Sequence, residues 1–220
     1  MYLVSSINDY NNRLKNEPLI SLSNVSEKIK VFPYYYLQKL PGSVNGCFVR
    51  EGVAQKLVSV AANLPRSIHL VILDGWRSYE TQLALYHSTK NYFESQYDTE
   101  EQVLSRLSLF VSYPSKDPVK PAPHYTGGAV DLTLADNNGW LNMGTVFDEF
   151  IDEAFSDFFE KKKELTKEEI MIRDNRRMLR NAMEQEGFHA NMDEWWHYDY
   201  GNLQWAEQKG MKPIYGGIQL

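Results

Sequence analysis

The most constraining feature of this sequence is an acidic residue inside an apolar strand. Residues 129–134 read Ala-Val-Asp-Leu-Thr-Leu, which predicts a strand with Val130, Leu132 and Leu134 on one face. Asp131 lies on the opposite face, with an alanine and a threonine. A carboxylate is costly to bury without a partner, and a metal ion would supply that partner. The strand therefore predicts an inward-facing Asp131 that needs a cation.

Two histidines accompany carboxylates at offsets that suit a metal site. His124 precedes Asp131 by seven residues, and the intervening Gly127-Gly128 allows a sharp turn that brings the two together. Glu194 and His197 stand in a second segment, Asp-Glu-Trp-Trp-His-Tyr. Catalytic zinc takes three ligands of these types and keeps one position for water, while a further carboxylate handles the proton. Spacing alone leaves a metal site and ordinary histidines equally open.

The position of Glu194 relative to His197 also stays open at this point. The two residues are three apart, so they would share one face of a helix. In an extended segment they would not share a face, and Glu194 would have to lie at a bend before the strand.

A third polar segment follows a predicted buried strand that ends near Asp74. Arg77 comes three residues later, at a place where loops often carry function. Its guanidinium is permanently charged and could stabilise an oxyanion. The pair could equally be a structural ion pair.

Composition excludes several classes of protein. The chain has 220 residues with 23 Lys+Arg and 29 Asp+Glu, so its formal charge is −6, which does not suit a nucleic-acid binder. Cys47 is the single cysteine, so neither an intrachain disulfide nor a cysteine zinc site is possible. No apolar run is long enough to cross a membrane and no signal peptide is evident, so we expect a cytoplasmic protein without a membrane span. Nothing in the sequence indicates the oligomeric state.

Hydrophobic periodicity predicts helices and strands without a regular βαβ rhythm. Predicted helices cover 51–63, 78–92, 99–110, 146–161, 167–186 and 202–208, and predicted strands cover 67–74, 129–134 and 194–200. This pattern indicates a single α+β domain, with helices flanking a mostly antiparallel sheet. We expect an N-terminal arm over residues 1–30 and a catalytic domain over residues 31–220.

These segments, in this order, resemble the zinc-dependent D-alanyl-D-alanine dipeptidases, a family that includes the vancomycin-resistance dipeptidase. The resemblance runs from about Tyr34 to Gly217 and rests on five ordered matches. They are Asp-Gly-aromatic-Arg at 74–77, His-x6-Asp at 124–131, Met-Gly-Thr-x-Phe-Asp at 143–148, Asn-Arg-Arg-Met-Leu-Arg at 175–180 and Glu-Trp-Trp-His at 194–197. The fold implied is that of the hedgehog and D-Ala-D-Ala peptidases.

The resemblance implies a role for each matching residue. His124, Asp131 and His197 would bind one zinc ion per chain. Glu194 would be the general base, taking a proton from the attacking water and passing it to the leaving amine. The other implied site residues are Arg77 for the oxyanion, Asp148 for the substrate ammonium group, and Tyr34 and Asp74 for substrate binding.

The motifs and the resemblance together predict a zinc dipeptidase that acts on D-alanyl-D-alanine or a related small D-containing dipeptide. The nearest alternative is a D,D-carboxypeptidase that trims peptidoglycan stem peptides. A third interpretation is a non-catalytic binding module that retains zinc for structure or for ligand capture, but a structural zinc takes four protein ligands and the sequence offers three.

Overall fold

A computed structural model describes residues 16–117 and 119–220 of the chain. Its elements, in chain order, are β1 (Leu19–Ser21), β2 (Ile29–Val31), α1 (Tyr34–Leu37), β3 (Phe48–Arg50), α2 (Glu51–Asn63), β4 (His69–Asp74), α3 (Tyr79–Glu94), α4 (Glu100–Phe110), β5 (Ala129–Asp136), β6 (Gly139–Trp140), α5 (Phe158–Lys161), α6 (Lys167–Gln185), β7 (His189–Ala190), β8 (His197–Asp199) and α7 (Leu203–Lys209). Short 3-10 turns occupy His124–Thr126 and Asp152–Ala154.

A six-stranded sheet forms the centre of the fold. Its strand order is β2-β4-β5-β8-β7, and β6 folds back onto β5. The β2–β4 pair is parallel, and the other pairs of this sheet are antiparallel. β1 and β3 form a separate antiparallel pair. The predicted α+β class with a mostly antiparallel sheet is therefore confirmed.

Helices cover the central sheet, so β5 is buried along almost its whole length. α6 packs on β5 and on α2, and α3 packs on α4. The apolar residues of α2 point into this core, as their helical spacing predicts. β5 carries Asp131 through the middle of the molecule, so the acidic side chain is placed where water cannot reach it freely.

Local signals set the starts of the long helices. Ser78 caps α3 by accepting a hydrogen bond from the Thr81 N–H, and α4 and α6 begin with reciprocal capping boxes at Thr99 and Thr166. α6 ends just before Gly187, which adopts a φ of +87°. The predicted helices at 51–63, 78–92, 99–110, 167–186 and 202–208 are confirmed within two residues at each end.

The predicted helix at 146–161 is wrong. Those residues form an irregular loop, a 3-10 turn and one short helix, α5. Arg176 on α6 takes the carbonyls of Glu153 and Phe155 as hydrogen-bond acceptors, so these carbonyls are not available to a helix ladder. A tertiary contact has overridden the local apolar pattern.

The predicted N-terminal arm falls partly outside the described residues, which begin at residue 16. Within the described part, β1 pairs with β3 and β2 pairs with β4. Residues 19–31 are therefore held to the body of the protein by strand pairing, and the boundary at residue 31 stays a prediction. No helix among the described residues is long and apolar enough to cross a membrane; the compartment stays a prediction.

Candidate metal centre and active site

Strand pairing brings two of the three predicted ligands side by side. Asp131 on β5 is the direct cross-strand neighbour of His197 on β8, so both side chains stand on the same face of the sheet. His124 reaches them from the 3-10 turn that precedes β5. Gly127 closes this turn with a φ of +70°, which a residue with a side chain adopts only under strain.

The three side chains converge on one point. His124 Nε2 lies 3.1 Å from His197 Nδ1 and 3.3 Å from an Asp131 carboxylate oxygen. His197 Nδ1 lies 2.9 Å from the other Asp131 oxygen. All three residues are buried. Donor atoms around a tetrahedral zinc ion at about 2.0–2.1 Å would be roughly 3.3 Å apart, so the observed spacing suits such an ion.

The outer ring nitrogens show which atoms are free to bind a cation. The Gly75 carbonyl lies 2.7 Å from His124 Nδ1, and the Asp199 carboxylate lies 3.1 Å from His197 Nε2. Both acceptors require an N–H on the nitrogen they face, so each neutral imidazole turns a lone pair toward the other. Two lone pairs at 3.1 Å repel unless a cation stands between them. The donor set therefore fits a metal ion on chemical grounds.

Buried carboxylates around His197 change its protonation when no metal is bound. Burial lowers the pKa of His197, but the charges of Asp199 and Asp131 outweigh burial and raise that pKa well above its usual range. Burial likewise raises the pKa of Asp131, and the two histidines lower it by more. A divalent ion would take over the role of the proton that these groups share.

Glu194 lies in a turn immediately before β8, which settles the question that its spacing left open. Its carbonyl accepts a hydrogen bond from the His197 N–H at 3.3 Å, and its carboxylate accepts one from Asn191 Nδ2 at 3.2 Å. Burial raises the pKa of Glu194 well above its usual range; Asp131 and Asp148 add to the rise, while His197 and Arg77 oppose it. Such a carboxyl group gains a proton more readily than an exposed one.

Arg77 is buried, and its guanidinium is held on all sides. Nε donates to Asp74 at 2.8 Å, one terminal nitrogen donates to Gln82 at 2.9 Å, and the other lies 3.2 Å from an Asp131 oxygen. Burial lowers the pKa of Arg77, but Tyr35 and the surrounding aspartates raise it by more. A fixed cation thus lies beside the three predicted metal ligands.

Asp148 closes the same pocket from the loop after β6, in the left-handed region at a φ of +62°. The Tyr35 hydroxyl donates a hydrogen bond to its carboxylate, and the same hydroxyl accepts one from Arg77 at 3.3 Å. Burial raises the pKa of Asp148 to about 7, although Arg77 and Tyr35 oppose that rise. The pocket therefore holds a half-buried carboxylate poised for a cation.

The structure brings most of the predicted site residues into one cavity. Its lining includes Tyr35, Arg77, His124, Asp131, Asp148, Glu194 and His197, around an empty volume of about 340 Å³. Asp74 lies behind Arg77 and 3.5 Å from His124 Nδ1, away from this lining. Tyr34 packs edge-on against Tyr35 and Phe147, so the adjacent tyrosine faces the pocket in its place.

Three site residues were not anticipated from the sequence. Tyr35 was hidden in a run of three tyrosines, and nothing in the sequence fixes which of them faces inward. Asp199 carried a usable signal, because it lies two residues after His197 on a strand and so shares its face. Gln82 lies on α3 and joins Arg77 to the Ser112 carbonyl, a contact that no spacing rule would reveal.

Four carboxyl groups and one guanidinium meet at this site. Asp74, Asp131, Asp148 and Glu194 surround the single guanidinium of Arg77. The pKa values of Asp148 and Glu194 are raised, and a metal ion or an ammonium group nearby would favour their ionised forms. A hydrolytic metal site commonly has three protein ligands and a nearby carboxylate, and this site offers two histidines, one aspartate and a buried glutamate. The fold and site thus define a metal-dependent hydrolase.

Comparison with known proteins places the chain more closely. A family model described as D-ala-D-ala dipeptidase matches residues 36–211. A D-alanyl-D-alanine dipeptidase from Synechocystis sp. is 26% identical over 211 residues, which is 87% of this chain and 85% of that protein. An Enterococcus faecium D-alanyl-D-alanine dipeptidase is 40% identical over 77 residues, 34% of this chain and 35% of that one. The chain belongs to the D-ala-D-ala dipeptidase family, and the predicted family resemblance is confirmed.

Among solved structures, VanYB in complex with D-Alanine-D-Alanine aligns with a TM-score of 0.46 and 16% identity. The alignment covers 90% of this chain and 86% of that one.

Proposed function

We propose that this protein is a zinc-dependent dipeptidase that hydrolyses D-alanyl-D-alanine or a related small D-containing dipeptide. The observation that carries the proposal is the convergence of His124, Asp131 and His197 on one point. Family membership supports the substrate class.

His124 Nε2, His197 Nδ1 and the Asp131 carboxylate would hold one zinc ion. Zinc bound there would polarise the scissile carbonyl and make water more acidic. Glu194 would remove a proton from the attacking water as its oxygen bonds to the carbonyl carbon. When the C–N bond breaks, Glu194 would return that proton to the leaving amine.

The remaining polar groups would hold the substrate. Arg77 would stabilise the negative charge that develops on the carbonyl oxygen, since its guanidinium is fixed before substrate arrives. Asp148 would pair with the free ammonium group of the dipeptide, and Tyr35 would orient the Asp148 carboxylate. We include Tyr34 and Asp74 as supporting residues, through the contacts of Tyr34 with Tyr35 and of Asp74 with Arg77.

A panel of dipeptides tests this proposal. Purified protein is assayed with D-Ala-D-Ala, L-Ala-D-Ala and L-Ala-L-Ala after zinc loading and again after chelation. We expect release of free alanine from D-Ala-D-Ala, loss of activity with chelator and recovery with one equivalent of zinc per chain. Turnover that survives complete removal of metal would overturn the metal mechanism.

Glu194→Gln tests the general base separately. The variant keeps the side-chain volume, so it should bind one zinc ion, while its turnover should fall on the order of 10²- to 10⁴-fold. Glu184→Gln is the control, since Glu184 lies on α6 and pairs with Arg180 at the surface. Near-normal turnover by a zinc-loaded Glu194→Gln protein would rule out this role.

A D,D-carboxypeptidase acting on stem peptides remains the second candidate. The Asp148 carboxylate favours a dipeptide, because its ammonium partner is absent when more residues precede the scissile bond. Comparing D-Ala-D-Ala with a pentapeptide that ends in D-Ala-D-Ala separates the two activities. A third reading, a non-catalytic zinc module, predicts no turnover of either substrate, yet Glu194 and Arg77 line the same pocket as the three ligands.

A further inference from the structure

Arg176 on α6 is a buried cation that donates its hydrogen bonds to backbone carbonyls. Its side chain is 6% exposed. Nε donates to the Met143 carbonyl at 2.7 Å, and the two terminal nitrogens donate to Phe155 at 2.9 Å and Glu153 at 2.8 Å. No carboxylate within the described ranges pairs with it, and burial lowers its pKa to about 10. Removing a charge from water costs free energy, so the burial of Arg176 without a carboxylate partner needs an explanation.

The three carbonyls bracket Asp148. Met143 precedes it by five residues, and Glu153 and Phe155 follow it by five and seven. We call residues 143–155 the Asp148 loop. One rigid guanidinium therefore joins both ends of this loop, and it fixes the distance between the two segments that flank Asp148. The turn places Asp148 in the left-handed region, at a φ of +62°.

Apolar packing holds only part of this loop: Phe147 is buried against Tyr34 and Tyr35, whereas Val146 is exposed. Residues 144–147 line an open groove whose other walls include Leu73 and Thr133. Arg176 also lies 5.6 Å from the ring centre of Trp195. Trp195 in turn donates a hydrogen bond to Thr145 at 2.7 Å. The loop is thus held by the buried Phe147 and by these polar contacts, and it borders an open groove.

We propose that Arg176 is a positioning residue for substrate recognition: it clamps the two ends of the Asp148 loop so that the Asp148 carboxylate faces the substrate ammonium group. This inference rests on the proposed function, in which Asp148 binds that group. Arg176 itself lies outside the lining of the catalytic cavity, so it acts through Asp148.

A double-mutant cycle tests the coupling between the two residues. The proteins are the wild type, Arg176→Lys, Asp148→Asn and the double variant, all zinc-loaded and assayed with D-Ala-D-Ala. Lysine keeps the charge but cannot reach three carbonyls, so KM should rise on the order of 10- to 100-fold, with a much smaller change in kcat. In the Asp148→Asn background the same substitution should change KM by less than about threefold.

Arg177→Lys is the matched control. Arg177 is the next residue on α6, but it is exposed and pairs with Glu160. Its substitution should leave KM and kcat unchanged. Zinc content should stay at one per chain in every variant, because the ligands come from β5, β8 and the turn at His124.

The outcomes separate this inference from the proposed function. Absence of any hydrolysis by the wild type, or an unchanged KM in Asp148→Asn, would contradict the proposed function or the assigned role of Asp148. If Asp148→Asn raises KM but Arg176→Lys does not, the inference about Arg176 alone is wrong. The inference about Arg176 is also wrong if Arg176→Lys raises KM equally in the wild-type and Asp148→Asn backgrounds. It is wrong as well if neither Arg176→Lys nor Arg176→Gln folds. Either result would make Arg176 a general structural support.

Discussion

Replacing Asp148 by asparagine should make the metal-free protein more stable near neutral pH and the loaded enzyme less active. The structure places the Asp148 carboxyl where burial raises its pKa from 3.8 to about 7. Each pKa unit corresponds to about 1.4 kcal/mol, so ionising this group costs the folded state up to about 4 kcal/mol. Asparagine carries no charge, has nearly the same shape and tolerates the left-handed φ at this position.

The sign of the pH dependence follows from the direction of the shift. Between about pH 4 and pH 7 the unfolded chain has already lost the Asp148 proton while the folded chain retains it, so wild-type stability falls as pH rises. Above pH 7 both states are ionised at this position, and the contribution is constant. The stability advantage of Asp148→Asn should therefore be absent near pH 4, grow up to pH 7 and then level off.

Other charged and titratable groups also act on the Asp148 carboxyl, so the comparison must leave those groups unchanged. The groups that face it are Tyr34, Tyr35, Asp74, Arg77, Asp131 and Glu194. Urea denaturation of the chelated wild type and variant at several pH values isolates the contribution of Asp148, because the neighbours are common to both proteins. A difference in the free energy of unfolding that stays the same from pH 4 to pH 8, or that favours the wild type at pH 8, would refute the reasoning.

The same substitution should weaken the zinc-loaded enzyme. A hydrogen bond to a charged group contributes about 1.5–3 kcal/mol, so kcat/KM for D-Ala-D-Ala should fall roughly 10- to 150-fold, mainly through KM. Steady-state kinetics at pH 8, where the wild-type carboxyl is ionised, measures this loss. An unchanged KM would show that the ammonium group is bound elsewhere.

Three further predictions concern the ligands and their supports. Arg77→Lys should lower kcat on the order of 10²- to 10³-fold in steady-state assays at unchanged zinc content, since lysine cannot reproduce the fixed fork; a purely KM effect would contradict an oxyanion role. Asp199→Asn should weaken zinc binding about 10- to 100-fold in a chelator competition, because Asp199 orients His197; equal affinity would show that the ring needs no such partner. Gly127→Ala should lower the melting temperature and the zinc affinity more than Gly210→Ala does. Both glycines have positive φ, but a Cβ at Gly127 would lie 2.6 Å from Leu19, whereas a Cβ at Gly210 would meet nothing within 4 Å. Equal effects of the two substitutions would refute the steric argument.

Much of the fold could be predicted because its signals are local. α2 shows apolar residues at helical spacing, and α6 has a capping box at one end and Gly187 at the other. The loop at 146–151 could not be predicted in this way. Its apolar residues have a helix-like spacing, but a guanidinium far along the chain, that of Arg176, binds the carbonyls on either side of it. Local pattern carries no information about such a contact.

The candidate site divides along the same line. The chemical types of His124, Asp131 and His197 indicated a metal centre, and an aspartate in an apolar strand indicated that a cation was needed. Their meeting depends on the register of β5 against β8, which the sequence does not determine. The position of Tyr35 likewise depends on how α1 packs against Phe147, so the choice among three adjacent tyrosines required the structure.

The excess of carboxylates connects metal binding to substrate binding. In the metal-free protein, Asp131 and Asp74 are among the charges that raise the pKa of Asp148. A divalent ion beside Asp131 would offset that repulsion and lower the pKa of Asp148, so more of the carboxyl would be ionised at neutral pH. Ammonium binding requires the ionised form, and linkage is reciprocal, so zinc and the dipeptide should each increase the affinity for the other. The same cluster of carboxyl groups would therefore favour the binding of zinc and of the ammonium group together.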